Sequence, residues 1–260
     1  MKKIFSTICA LMLVMQGASA WNGSINAGIA AIAHDNLTAE AKQGIVEILD
    51  GHSIVHSASR PTNHHTNVAI NGKGKVLSAK KAAKSKNSEV KSALLLEDIE
   101  RAIAALKCDK TPKDVKATML KNLVCAIGDL HCPGHYIYTD ALEYRNYGLR
   151  YVDEQTPRKY TNLWEGDMVY GTFGWKTNEF AHQLSRKSPE QVAALTAGTV
   201  TEWAEANAVA YKQLYKDFEN NRHFEKGIDY RLWMNTNYPV AVEQVAVAGY
   251  RLAALLNSIF

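Results

Sequence analysis

Apolar residues recur at helical spacing along most of this chain, and strand-like alternation is absent. Ile25, Ile29 and Ile32 predict a first helix; Leu37, Ala41, Ile45 and Ile48 predict a second, closed by Gly51. From Ser53 to Lys86 the pattern lapses into a polar loop holding Pro61, Asn63, Gly72 and Gly74. Helical spacing returns with Leu96, Ile99, Ile103 and Leu106. Thr111-Pro112 then supplies a cap and a proline at the first helical position, and Val115, Met119, Leu123 and Ile127 form the buried stripe that follows. Pro133-Gly134 ends that helix, and Tyr136 to Trp175, rich in Tyr, Asn and Gly, reads as a long loop. Ser188-Pro189-Glu190-Gln191 is a capping box that opens a strong helix running through Val200, Trp203, Tyr211, Leu214 and Phe218. A last helix spans about Val240 to Leu256. The expectation is one all-α domain over residues 21–260, with long loops available to carry a site.

The first twenty residues stand apart. Lys2 and Lys3 precede an apolar run from Ile4 to Met15, and Ala18-Ser19-Ala20 supplies small residues for cleavage. These three parts read as a signal peptide over residues 1–20, which implies an exported, periplasmic or secreted protein beginning at Trp21. No cysteine follows the cut to take a lipid anchor, and no second stretch reads as a membrane span.

Charge adds little. The formal net charge of +4 falls to +2 once Lys2 and Lys3 leave. One stretch departs from this balance: Lys73, Lys75, Lys80, Lys81, Lys84, Lys86 and Lys91 face only Glu89, which gives either a solvated surface or a contact for an anionic polymer. After export three cysteines remain, Cys108, Cys125 and Cys132, so at least one stays outside any internal disulfide. If Cys125 and Cys132 share a helix, its rise separates them by roughly 10 Å, beyond disulfide reach.

The densest set of potential ligands is Cys125-Ala126-Ile127-Gly128-Asp129-Leu130-His131-Cys132-Pro133-Gly134-His135. On a helix Cys125 and Asp129 share a face, and the turn at Pro133-Gly134 lets His135 swing back toward it. Thiolate, carboxylate and imidazole all bind zinc. His64, His65 and Asp167 lie in the two long loops, and Tyr136, Tyr138, Tyr144 and Tyr147 are candidates to stack on bases.

In this order the features resemble the single-strand-specific, zinc-dependent nucleases of the fungal S-one and P-one type, which share a helical fold with zinc phospholipase C. Trp21-Asn22-Gly23-Ser24-Ile25-Asn26 is similar to that family's Trp-Gly…Gly-His start. Gly128-Asp129-Leu130-His131-Cys132-Pro133-Gly134-His135 resembles its Gly-Asp-x-His-Gln-Pro-Leu-His. Thr201 to Asn207 is similar to Trp-Ala-x-Glu-Ser, and Glu243 to Ala253 to its terminal Ala-Gly-x-Arg-Leu-Ala helix.

The resemblance implies cleavage of phosphodiester bonds in single-stranded nucleic acid or nucleotides at clustered zinc ions. It also implies that the amine and carbonyl of Trp21 chelate one ion. Carried over residue by residue, Trp21, Asp129 and His135 match, and Asp129 would bridge metals. His65 corresponds to a loop histidine, Cys125 stands where a helical histidine is expected, and Asp167 aligns when one residue is dropped. Asn26 replaces the first-helix histidine, the segment Ser59-Arg60-Pro61-Thr62 lacks the expected aspartate, and Trp164 takes the place of another histidine. This set implies one or two zinc ions rather than three, with Cys125 or Cys132 as substitute thiolates. The alternative is a catalytically inactive relative that binds nucleic acid or another anionic ligand. A phospholipase-like hydrolase on the same fold is a third reading.

Overall fold

The computed structural model describes residue 21 and residues 23–58, 66–142, 148–149, 158–169, 174–220 and 227–260. Residues 1–20, with the cleavage signal, lie outside this set, as do His64, His65, Tyr144 and Tyr147.

Helix α1 (Gly23–Asp35) is the axis of the fold. Every residue from Ile25 to Ala33 is buried, so the Ile25-Ile29-Ile32 stripe is one side of a helix enclosed all round. It packs against α3 (Ile54–Ala58), α7 (Lys113–Leu130), α9 (Thr177–Leu184) and α12 (Gly227–Ile259), and with these, α2 (Ala39–Ile48) and α6 (Leu95–Lys107) it shares one apolar core. Glycines set the two closest approaches. A Cβ at Gly28 would fall 2.5 Å from the Phe180 ring of α9, and one at Gly249 of α12 would fall 2.5 Å from Ile32 Cγ2.

The expected boundaries hold at several points. Gly51 takes φ 90° and its N–H bonds Val46 O, ending α2 as the sequence suggests. Ser188 and Gln191 close a reciprocal capping box at the start of α10 (Pro189–Thr196). The one helix expected from that box through Phe218 is instead two, α10 and α11 (Val200–Asn220), parted where Gly198 takes φ 89°.

Other expectations are corrected. The Ser53 to Lys86 segment holds α3, a strand β1 (Val68–Ile70) and the single-turn helix α4 (Ala79–Ala82), followed by α5 (Ser88–Lys91). The Tyr136 to Trp175 segment contains β2 (Tyr136–Tyr138), a hairpin of β3 (Gly148–Leu149) and β4 (Arg158–Lys159), and a helical turn α8 (Tyr160–Asn162) that widens into a π turn over Leu163–Asp167. Strand β1 pairs parallel with β2, Val68 opposite Tyr136. All six residues of this pair are buried, so no alternation marked them. The last helix begins at Gly227 rather than near Val240, passing through Pro239. Its Trp233–Ile259 part is long and apolar enough to cross a membrane, contrary to the sequence reading, and 56% of its most apolar 18-residue window is buried inside the protein.

Candidate functional site

The site grows from the C-terminal end of α7. Residues Leu123 to Leu130 are all buried, and the chain leaves the helix through His131 and Cys132 into a 3₁₀ turn, Pro133–His135. The last carbonyls of a buried helix need partners from elsewhere. Here they come from four side chains on three segments, β2, α11 and the residue ahead of α1. Tyr136 Oη and Asn207 Nδ2 both donate to Leu130 O, at 2.7 and 2.9 Å. Tyr211 Oη donates to His131 O at 3.1 Å, and Trp21 Nε1 to Gly128 O at 2.9 Å.

His131 belongs to the same support. It is buried, with Nδ1 bonded to Ile127 O at 2.7 Å and Nε2 2.9 Å from Arg251 Nη1. Arg251 can only donate, so Nε2 accepts and Nδ1 carries the proton. Burial and the neighbouring guanidinium push its pKa down to about 3, so the ring is neutral. Arg251 also donates to Leu195 O and lies 4.7 Å from the Trp203 ring centre. Trp203, Asn207 and Arg251 thus brace the helix that presents Asp129.

Asp129 is fully buried, and Cys125 lies one turn earlier on the same helix, also buried. None of Cys108, Cys125 and Cys132 is in a disulfide. Burial raises the Cys132 thiol well above its ordinary pKa, and the carboxylates of Glu165 and Asp129 raise it further. Cys132 is therefore a protonated thiol near two acids.

His135 is positioned by the strand pair. Because β1 and β2 run in parallel, Thr66, two residues ahead of β1, reaches the residue just ahead of β2. His135 Nδ1 bonds Thr66 O at 3.0 Å. Its Nε2 lies 3.6 Å from Glu165 Oε1 in the π turn. That approach depends on Gly134, where a Cβ would sit 3.2 Å from both Cα and O of Thr161. Asp167 is half-buried at the end of the same turn, and Trp164 points into the core against Tyr160 and Trp233.

Tyr136 and Tyr138 are buried, with hydroxyls bonded to Leu130 O and Ala208 O, so they are packing residues and not a stacking platform. The seven lysines from Lys73 to Lys91 are all exposed, and Lys75 pairs with Glu205 at 2.6 Å.

The buried Asp129 and His135 around Pro133, and the Arg251 helix that braces them, follow one family's order along the chain. The chain belongs to the S1/P1 nuclease family. The family model, described as S1/P1 Nuclease, matches residues 27–260. No curated protein matches the chain at a significant level. The match begins one residue past Asn26, so Trp21 and Asn26 lie outside it.

S1/P1 nucleases are generally zinc-dependent. Among the described residues, no group of three or more His, Cys, Asp or Glu side chains is placed to hold a metal ion. The two ends of the site fit an ion unequally. At the N-terminal end, Asn26 Nδ2 donates to Trp21 O at 2.7 Å, so the residue in the expected histidine's place offers that carbonyl an N–H and not a second lone pair for an ion. Asn26 Oδ1 meanwhile faces Gly128. This end does not fit. At the other end, His135 turns an imidazole nitrogen toward a carboxylate, a donor set that suits zinc. Glu165 is the residue that sequence reading missed. The available signal was a carboxylate directly after the position where Trp164 displaces a histidine.

Proposed function

We propose that the mature chain, residues 21–260, is an exported zinc-dependent phosphodiester hydrolase acting on single-stranded nucleic acid, with a metal site reduced to one or two ions. The observation that carries this reading is the joint burial of Asp129 and His135, the two residues that match the nuclease motif without adjustment. Zinc, when bound, would activate water and neutralise phosphate charge. The chain's own contribution is orientation. Asp129 is fixed by the braced end of α7. His135 donates from Nδ1 to Thr66 O, which turns Nε2 toward Glu165. Of the remaining proposed ligands, Cys125 and Asp167 lie on the helix and the π turn that frame this pair. His65 immediately precedes Thr66 in sequence. The exposed lysines would follow phosphates outside the site.

A second reading has its own support. The Asn26 to Trp21 hydrogen bond engages the carbonyl expected to chelate, which favours a relative that keeps the cleft to bind an anionic ligand without cleaving it. Zinc stoichiometry of the mature protein, measured beside cleavage of single-stranded DNA, separates the two. The hydrolase reading expects one or two ions and slow cleavage that Asp129→Asn abolishes. Less than about 0.2 equivalents of zinc after loading, with no cleavage, would leave only the binding protein.

A further inference from the structure

We infer that the cleft between the end of α2, α3 and α7 binds a phosphomonoester of mononucleotide size, with Lys121, His52 and Ser57 holding the phosphate. The site is independent of the zinc-dependent reading, because Lys121 precedes Asp129 by two turns of α7, a rise of roughly 12 Å. An unusual turn builds its wall. Past α2 the chain runs through Asp50 at φ 52° and Gly51 at φ 90°, two successive residues in the left-handed region. Asp50 Oδ1 accepts a bond from Lys113 Nζ at 2.6 Å, which ties this turn to the start of α7. The turn delivers His52 onto His56, their ring centres 4.5 Å apart and their planes inclined by 19°. The enclosed space has a volume of about 340 Å³. That is more than a bare phosphate fills, and it stands at the lower end of pockets that take small organic ligands.

The lining selects an anion. Asp50 is its one carboxylate, and Lys113 already offsets that charge. Among the described residues no carboxylate pairs with Lys121, so its ammonium group faces the cleft without an opposing charge. A metal ion suits the place poorly. Nearly parallel imidazoles direct their nitrogens along parallel lines and not at one point, and two rings fall short of the donor set an ion needs. Each ring can instead offer an N–H to a separate phosphate oxygen. Ser57, buried in α3, adds a hydroxyl donor to the same lining. Ile48, Leu49 and Ala117 supply its apolar part. That surface suits the planar base of a nucleotide and offers nothing to phosphate alone.

The test is an NMR titration of the mature protein with adenosine monophosphate, ribose 5-phosphate, inorganic phosphate and adenosine, repeated on Lys121→Met and His52→Gln. Adenosine monophosphate should shift the amide signals of residues 50–52, 57 and 117–121, with a Kd on the order of 0.1–1 mM. Each variant should weaken it about tenfold. Ribose 5-phosphate should bind less tightly, and inorganic phosphate and adenosine less tightly again. Asp129→Asn, which the hydrolase reading expects to abolish cleavage, should bind adenosine monophosphate as wild type does. Equal affinity in wild type and the folded variants would overturn the site, as would shifts confined to the surroundings of Asp129 and His135. Inorganic phosphate binding as tightly as adenosine monophosphate would overturn the mononucleotide assignment, and adenosine binding as tightly would overturn the phosphate contact. His52 is exposed, so His52→Gln decides the matter should Lys121→Met fail to fold.

Discussion

Arg251 Nη1 donates to His131 Nε2 at 2.9 Å, joining the last helix to the end of α7 beside Asp129. The ring that receives this bond sits two residues past the proposed metal-bridging acid, and it is a brace and not a ligand. Both of its nitrogens are already engaged.

Acid should destabilise the protein through this ring. Folded His131 stays neutral down to about pH 3, whereas in the unfolded chain it takes a proton near its ordinary 6.5. Below pH 6.5 the unfolded state therefore binds more protons, and stability falls with pH until about pH 3; above 6.5 the contribution is constant. The expected slope is on the order of 1.4 kcal/mol per pH unit across that window. Thermal melts between pH 7 and pH 4 should show it, and His131→Gln should flatten it. A slope unchanged in the variant would assign the acid sensitivity to other groups.

Arg251→Met should lower stability at neutral pH by about 2–4 kcal/mol, because His131 Nε2 and Leu195 O lose a charged donor together. Arg251→Lys should recover only part of this, since an ammonium cannot fork to two acceptors as a planar guanidinium does. Urea unfolding of the three proteins checks the ranking.

Gly128→Ala should cost about 1–3 kcal/mol even though alanine favours helix, because its Cβ would meet Asn26 Oδ1 at 2.6 Å. Removing that oxygen with Asn26→Ala should return most of the loss when the two changes are combined. A double-mutant cycle with no coupling would mean that the two side chains do not meet.

Asn26→Ala should leave the number of bound zinc ions unchanged, since the amide bonds a carbonyl and holds no metal. Asn26→His should raise it, by supplying the imidazole that lets Trp21 O share an ion. Elemental analysis after loading and dialysis reads both.

Much of the helical frame was legible because helices repeat their burial every three or four residues. The capping box at Ser188 and the closing glycine Gly51 were legible for the same local reasons. The strands β1 and β2 were not, since three buried residues in a row carry no period. The last helix read as starting near Val240, while α12 starts at Gly227 and runs through Pro239. In the site, Asp129 and His135 stood out as a spaced motif. Sequence alone could not show that His131 is enclosed by an arginine 120 residues away. Nor could it show that Glu165 meets His135, because that contact is made by backbone geometry at Gly134 and Thr161.

The bonds that close the end of α7 have a bearing on how this chain diverges. Trp203, Asn207, Tyr211 and Arg251 reach the helix end or its brace and are none of the proposed ligands, whereas Trp21 is a proposed ligand that also bonds Gly128 O. Shape and chemistry are therefore written largely in separate residues. A lineage can exchange ligands one at a time while its scaffold stays recognisable, and an engineer can restore lost ligands without first rebuilding the frame.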